Sequence, residues 1–192
     1  MRAVVVTPTT GIPELAACIR SVAGQTKKVD HYIVVDGLEH AHKVLEICKA
    51  NSYGQQLIVL PENTGKPKKH WSGEVATYNG HRIYGAMSYL VNHDCVFMLD
   101  EDNWYDPIHC ETMMMNMQRD AAQWCYSLRK VVDWEGNFLH NDDCDSLGVY
   151  PNYVRNMFVD MNCYVFRTEF LKAIAHSLYA LENADNLLYK AA

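Results

Sequence analysis

The chain has 192 residues, of which 49% are apolar and 21% are charged, proportions that are ordinary for a globular protein and too apolar for a disordered one. It carries 17 Lys and Arg against 23 Asp and Glu, and the formal net charge of −6 argues against a broad binding surface for nucleic acid or anionic lipid. The length favours one domain, and no uncharged run reaches the roughly 18 residues that a membrane span requires.

Apolar strands alternate with helices over the first half of the chain. The predicted strands cover residues 2–7, 31–36, 56–60 and 95–99. One predicted helix begins near Pro13, a second includes residues 44–48, and a third covers residues 73–91. Strands and helices that alternate in this way are typical of βαβ units. We therefore predict an α/β fold with a Rossmann-like, mostly parallel central sheet flanked by helices.

The second half of the chain has a less regular pattern. It predicts helices over residues 106–119 and 169–181, strands over 124–132 and 160–166, and a turn at 133–137 that closes a hairpin with Phe138 and Leu139. Residues 184–192 keep a helical pattern up to the last residue. We therefore expect a single domain over residues 1–192 that forms the N-terminal part of a longer protein.

The cysteines indicate a reducing environment. There are seven of them, an odd number, and no CxxC or CxxxC pair occurs. Disulfides cannot pair them all within one chain, and a zinc site built from paired thiolates lacks its usual spacing. We therefore expect a cytoplasmic protein.

Several polar residues follow the predicted parallel strands, where sheets of this kind bind their ligands. The most acidic strand end is Asp100-Glu101-Asp102. A cation relieves the repulsion between such charges, and Mg²⁺ and Mn²⁺ prefer carboxylate oxygens together with substrate phosphates. Asp36 is suited to accept a hydrogen bond from a nucleobase imide or a ribose hydroxyl. Each position also has a simpler interpretation. Residues 100–102 could be an acidic turn that caps the next helix, and Asp36 could belong to an ordinary Asp-Gly turn.

Five segments, all within the first 110 residues and in the expected order, together resemble the GT-A glycosyltransferases, in particular those of the family 2 type. They are VVVTPTT at 4–10, YIVVDG at 32–37, Pro61-Glu62-Asn63 with Gly65, Arg82-Ile83-Tyr84-Gly85, and FMLDEDNWYDP at 97–107. The last is the most specific, because members of that family run an apolar strand into a DxD motif that is followed by a proline. The resemblance implies a GT-A type of fold.

The resemblance also implies a donor and a set of residues that bind it. The donor is a nucleotide sugar, usually a UDP-sugar. The implied nucleotide-binding residues are Thr7, Pro8, Thr9, Asp36, Asn63, Arg82, Asp100 and Glu101. The implied ligands of Mn²⁺ or Mg²⁺ are Asp100 and Asp102, and a cation held there neutralises the charge that develops on the leaving nucleoside diphosphate.

An inverting glycosyltransferase needs a carboxylate that takes the proton of the acceptor hydroxyl. By its position in the family pattern, Asp185 is the candidate base, and Asp160 is its rival. Trp104, two residues after Asp102, is the candidate for stacking on the sugar ring of a carbohydrate acceptor. For both acids, the alternative is a solvated or capping role.

Two other classes of function remain open. A sugar-1-phosphate nucleotidyltransferase also combines an α/β sheet with acidic metal ligands. A resemblance to that class would favour a Gly-rich loop after the first strand, where residues 8–11 of this chain supply only Gly11. A non-catalytic nucleotide- or sugar-binding module on the same scaffold is the second alternative. A dinucleotide enzyme is disfavoured because no GxGxxG follows the first strand.

Overall fold

The computed structural model describes residues 1–65, 68–69, 75–76, 80–133, 135–142 and 159–179, together with Leu188 and Ala191. The described strands are β1 (Ala3–Thr9), β2 (Asp30–Val35), β3 (Gln56–Val59), β4 (Lys68–Lys69), β5 (Val75–Ala76), β6 (Cys95–Met98), β7 (Trp124–Tyr126), β8 (Arg129–Val132), β9 (Phe138–Asp142) and β10 (Tyr164–Arg167). The α-helices are α1 (Leu15–Ala23), α2 (Ala41–Ala50), α3 (His81–Leu90), α4 (His109–Arg119) and α5 (Thr168–Ile174), and short 3₁₀ helices cover Leu38–His40, Met161–Cys163 and Ala175–Tyr179.

A six-stranded sheet in the order β3-β2-β1-β6-β10-β7 forms the centre of the fold. Strands β3, β2, β1 and β6 run parallel to one another, whereas β10 is antiparallel to both of its neighbours. Two small antiparallel pairs, β4 with β5 and β8 with β9, lie outside this sheet. The prediction of a mostly parallel α/β sheet is therefore confirmed.

Helices cover the sheet on both faces, which is why β1 is buried along its whole length. On one face, Val4 and Val6 belong to a core that also includes Tyr84 and Met87 of α3. On the other face, Val5 packs in a core with residues of α1 and α4, and Ile33 and Val35 of β2 pack on α1 and α2. Because both faces are buried, the central strands read in the sequence as continuous apolar runs. Among the described residues, no helix is long and apolar enough to cross a membrane.

The helix predicted over residues 73–91 begins at His81, because residues 75–76 belong to β5 and pair with β4. Gly80, just before the helix, has a φ of +81°, a backbone conformation that ends a helical run and that side chains rarely adopt. A Cβ atom at Gly80 would lie 2.8 Å from Cβ of Pro8. The glycine therefore lets the start of α3 approach the end of β1 closely.

The second half of the chain also departs from its prediction at three places. The strand predicted over 124–132 is two strands, since β7 joins the central sheet while β8 pairs with β9. Before β10, Asp160 caps a 3₁₀ turn by accepting a hydrogen bond from the Asn162 amide at 2.9 Å. The helix predicted over 169–181 is α5 followed by a 3₁₀ segment that ends at Tyr179. The predicted hairpin after β8 is confirmed.

His31 is a fully buried histidine on β2 that hydrogen-bonds on both ring nitrogens. Its Nε2 lies 2.9 Å from the Thr7 hydroxyl and its Nδ1 lies 2.6 Å from the Tyr53 hydroxyl. Burial disfavours the charged ring and lowers the pKa of His31 from 6.5 to about 3. Between these two pH values the unfolded chain takes up a proton at this ring that the folded protein does not.

We expect this difference to make the protein less stable as the pH falls from 6.5 towards 3. The loss at His31 is about 1.4 kcal/mol of unfolding free energy for each pH unit. His31→Gln removes the titrating ring and should flatten the pH dependence by that amount, as measured by urea unfolding at several pH values. His42→Gln, at an exposed position of α2, is the control. Equal slopes for the two variants would contradict this assignment.

Candidate functional site

The parallel strands β2, β1 and β6 end at one edge of the sheet and bring Asp36, Thr9 and Glu101 together. The Asp36 amide donates a hydrogen bond of 2.8 Å to the Thr9 carbonyl. The Thr9 hydroxyl in turn donates to Oε2 of Glu101 at 2.5 Å. Residues that lie far apart in the sequence therefore line one edge, as the strand pattern predicted.

Glu101 binds the loop between β1 and α1. Its two carboxylate oxygens accept five hydrogen bonds of 2.5 to 3.1 Å from this loop. The donors are the hydroxyls of Thr9 and Thr10 and the backbone N–H groups of Thr10, Gly11 and Ile12. The middle acid of the Asp100-Glu101-Asp102 motif is thus engaged with the protein itself.

Asp100 lies just after β6, separated from it by Leu99, and its carboxylate is held on both oxygens. The Tyr84 hydroxyl of α3 donates to Oδ1 at 2.8 Å, and Nδ2 of Asn162 donates to Oδ2 at 3.0 Å. The pKa of Asp100 is raised to about 6, mainly by burial and also by the neighbouring carboxylates of Asp160 and Asp102, while these two hydrogen bonds oppose the shift. The site therefore stabilises the carboxylate by hydrogen bonds while its surroundings favour the neutral acid.

Asn162 connects Asp100 with a second acid. Its Oδ1 accepts a hydrogen bond from the Asp100 backbone N–H at 2.5 Å, and its Nδ2 also donates to Oδ1 of Asp160 at 2.8 Å. Asp160 is half-buried and forms an ion pair with Arg129 of β8. A network of side chains therefore runs from Tyr84 to Arg129 along the acidic edge of the sheet.

Asp102 and Trp104 lie on the exposed side of the same segment. Oδ1 of Asp102 accepts a hydrogen bond from the Asn103 side chain at 2.8 Å. Trp104 is 44% exposed, whereas the next residue, Tyr105, is buried and donates its hydroxyl hydrogen bond to the Met98 carbonyl at 2.6 Å. The indole is therefore accessible to a ligand, and Tyr105 anchors the segment to the core.

Asp36, at the end of β2, is buried and binds the loop that follows β3. Its Oδ1 accepts a hydrogen bond from the Thr64 backbone N–H at 2.6 Å, and its Oδ2 accepts one from Gly65 at 3.2 Å. Asn63, just before them, is half-buried, and among the described residues the buried Thr64 hydroxyl has no hydrogen-bond partner. The Asp36 carboxylate thus shapes the loop that the sequence predicted to line the nucleotide pocket.

The remaining predicted residues occupy different positions. The Thr7 hydroxyl is fully buried and bonds to His31, so its side chain faces the core and not the strand edge. Pro8 packs against Gly80 at the start of α3. Arg82 is half-buried in the first turn of that helix. Asp185, the candidate base, lies outside the described residues.

Sequence reasoning missed three residues of the site, Tyr84, Asn162 and Arg129. Tyr84 lies on the buried face of α3, and its place in the apolar pattern identifies it only as a core residue. Asn162 is two positions from Asp160, the rival candidate for the base, but nothing in the local sequence relates Asn162 to Asp100, 62 residues earlier. The antiparallel pairing of β10 with β6 brings Asn162 close to Asp100, whereas Tyr84 reaches Asp100 from α3, which packs on the sheet.

The side chains of Asp100 and Asp102 suit a hard divalent cation. Both are carboxylates, and each carboxylate oxygen has two lone pairs, so the hydrogen bonds from Tyr84 and Asn162 leave Asp100 with capacity to bind a cation. In the part of the chain that the structure describes, no three His, Cys, Asp or Glu side chains form a metal-binding group. Two carboxylates nevertheless satisfy Mg²⁺ or Mn²⁺ when phosphate oxygens and water supply the other ligands.

Comparison with solved structures identifies the fold. S. aureus TarS 1–349 matches the whole chain with a TM-score of 0.63 and 13% identity, and its complex with UDP matches it with a TM-score of 0.65 and 14% identity. The complex of TarS 1–349 with UDP-GlcNAc matches 90% of the chain with a TM-score of 0.59 and 15% identity. At this identity the likeness concerns the fold, which is GT-A-like, as in the glycosyltransferase TarS.

The chain spans about half of the structure it resembles, covering 55% of TarS 1–349. No family model matches the chain, and no curated protein matches its sequence. The class of fold is therefore established by architecture, while the activity has to be argued from the site.

Proposed function

We propose that this chain is the catalytic domain of a metal-dependent glycosyltransferase of the family 2 type, which moves a sugar from a UDP-sugar to a carbohydrate hydroxyl with inversion. The observation that carries the proposal is the position of Asp100 and Asp102 at the end of β6, next to the ends of β1 and β2, in a GT-A-like fold. TarS, which has this fold, has been crystallised with UDP and with UDP-GlcNAc. We further propose a cytoplasmic location.

The nucleotide would lie along the edge formed by β1 and β2. We assign its direct contacts to Pro8, Asp36, Asn63 and Arg82. Pro8 and Asp36 lie at the ends of the two strands, Asn63 precedes the loop that Asp36 binds, and Arg82 is in the first turn of α3, whose start lies beside Pro8. The Asp36 carboxylate would use its remaining lone pairs to accept a hydrogen bond from a base imide or a ribose hydroxyl. It would keep the hydrogen bonds that it accepts from Thr64 and Gly65.

Asp100 and Asp102 would hold Mn²⁺ or Mg²⁺. When bound, such a cation neutralises negative charge on the leaving nucleoside diphosphate. The chain's own contribution is to present the Asp100 carboxylate in one orientation. Tyr84 and Asn162 each bind one of its oxygens, so the carboxylate cannot rotate without breaking a hydrogen bond.

Asp185 remains our proposal for the base and Trp104 for the acceptor contact. Asp160 is less suited to act as a base, because Arg129 and Asn162 already bind its carboxylate oxygens and would compete with an acceptor hydroxyl for them. Trp104 is exposed beside Asp102, where its aromatic face is able to stack on a sugar ring.

The first test is binding of UDP to the purified chain by calorimetry, with and without Mn²⁺. We expect Mn²⁺ to strengthen UDP binding, and we expect Asp102→Ala to abolish that metal-dependent gain, because it removes a carboxylate ligand of the cation. Asp120→Ala, which removes an exposed carboxylate paired with Arg119, is the matched control and should bind as the wild type does. Unchanged metal-dependent affinity in Asp102→Ala would reject the metal assignment.

A second measurement separates the three classes of function. Incubation with radiolabelled UDP-sugars and Mn²⁺ should release sugar slowly to water if the chain is a transferase. Exchange that depends on pyrophosphate would instead identify a nucleotidyltransferase, and binding without any turnover would identify a binding module.

A further inference from the structure

The loop between β1 and α1 directs three consecutive backbone N–H groups at one carboxylate. The amides of Thr10, Gly11 and Ile12 lie 2.9 to 3.0 Å from the oxygens of Glu101. Gly11 has a φ of +82°, and a Cβ atom there would lie 3.0 Å from the Val44 side chain. The loop thus has the concave form of an anion-binding nest, in which successive N–H groups point inward.

In nucleotide-binding α/β proteins, N–H groups at the start of the helix after the first strand commonly hold a phosphate. Here Glu101, 90 residues further along the chain, fills that position with its own carboxylate. Two threonine hydroxyls, from Thr9 and Thr10, donate to the same carboxylate. In all five contacts, the loop supplies the hydrogen-bond donor and the Glu101 carboxylate is the acceptor. This is the pattern of an anion-binding site and not of a packing contact.

We propose that Glu101 is a positioning residue: its carboxylate takes the place of an external anion in the β1–α1 nest and joins that loop to the acidic turn that holds Asp100 and Asp102. The loop that ends β1 and the turn that ends β6 then form one rigid unit. Glu101 is consequently not a metal ligand, although it lies between the two proposed ones.

This arrangement has a consequence for the donor, which rests on the proposed function. Because Glu101 occupies the nest, the donor's phosphate groups cannot bind there and are left to the cation at Asp100 and Asp102. The nest is also closed to the triphosphate of a nucleotidyltransferase substrate, which is a physical reason to prefer the transferase. Phosphate binding should therefore depend on the metal.

The test is chemical rescue of Glu101→Ala by acetate, followed by thermal unfolding. Removal of the carboxylate leaves three N–H groups and two hydroxyls without their acceptor, so we expect Tm to fall by roughly 5–10 °C. Sodium acetate at 100 mM should restore about 3–5 °C of that loss, because acetate is an anion of the right chemistry for the emptied nest. Acetamide at the same concentration, and sodium chloride at the same ionic strength, should not.

Glu111→Ala is the matched control, because among the residues that the structure describes the Glu111 carboxylate accepts one hydrogen bond, from the Thr26 hydroxyl at 2.7 Å. Acetate should leave its Tm unchanged. Equal stabilisation of both variants by acetate, or equal effects of acetate and acetamide on Glu101→Ala, would overturn the proposal.

Glu101→Gln provides a second test that keeps the length and shape of the side chain. Its NH₂ group would face donors, so Tm should fall by at least about 3 °C although no cavity forms. An unchanged Tm in this variant would also overturn the proposal, even if Glu101→Ala fails to fold.

UDP titrations in Mn²⁺ separate this inference from the proposed function. We expect Glu101→Ala to bind UDP at least about tenfold more weakly than the wild type, and acetate to recover part of that affinity. If the wild type itself fails to bind UDP, the proposed function fails, while the acetate experiment still decides the role of Glu101.

Discussion

Asp185→Asn is expected to lower the turnover of a UDP-sugar by about 10²–10⁴-fold, because an amide cannot take the proton of the attacking hydroxyl or water. The donor affinity should stay within about twofold of the wild type, since the proposed base acts on the acceptor. Sugar release from a radiolabelled UDP-sugar measures turnover, and calorimetry with UDP measures binding.

Asp120→Asn serves as the control for this prediction, because it removes an exposed carboxylate by the same substitution. Asp160→Asn provides the informative comparison. Asp160→Asn weakens the ion pair with Arg129, so it should lower the Tm of the protein. Its turnover should fall only by the amount that this local disturbance of the site causes. Turnover that survives in Asp185→Asn and disappears in a folded Asp160→Asn would assign the base to Asp160.

Asn162→Ala is expected to be strongly destabilising. The substitution removes the acceptor of the Asp100 N–H and the donor shared by the carboxylates of Asp100 and Asp160. Each partly buried group left without its partner costs about 1–3 kcal/mol, so we expect the unfolding free energy to fall by roughly 3 kcal/mol or more. Denaturant unfolding at pH 7 measures this loss.

Asn116→Ala is the control for Asn162→Ala, because Asn116 is half-buried on α4 and the change removes the same amide group. It should change the unfolding free energy by less than about 0.5 kcal/mol. Asn162→Ala should also weaken Mn²⁺-dependent UDP binding, since the Asp100 carboxylate loses one of the two groups that orient it. Normal stability and normal binding in this variant would show that the network has no role in positioning Asp100.

The alternation of apolar strands and helices predicted the parallel half of the sheet correctly, because strands buried on both faces leave continuous apolar runs in the sequence. The same reasoning placed Asp36 and Asp100 at one edge, since parallel strands end on the same side. The prediction failed at residues 75–76, where short strands and Gly80 interrupt what looks like a single long helix. Helical periodicity alone does not show where such an interruption lies.

The role of Glu101 shows most clearly where local sequence stops being informative. An acid between two other acids suggests a ligand site, and the resemblance to GT-A glycosyltransferases gave Glu101 a place in nucleotide binding. Its observed partners are donors from residues 9–12, about 90 residues earlier. These contacts exist only because β6 lies beside β1 in the sheet.

By itself, the sequence determined the class of fold, the strand ends that form the candidate site and the acidic motif at its centre. These properties follow from the spacing of apolar residues and from the residue types in short segments, both of which can be read directly from the sequence. The tertiary structure alone decided that Glu101 fills an amide nest, that Tyr84 and Asn162 orient Asp100, and that Thr7 faces the core. Each of these depends on hydrogen bonds between elements distant in sequence, whose geometry is set by strand order and helix packing and leaves no local signal.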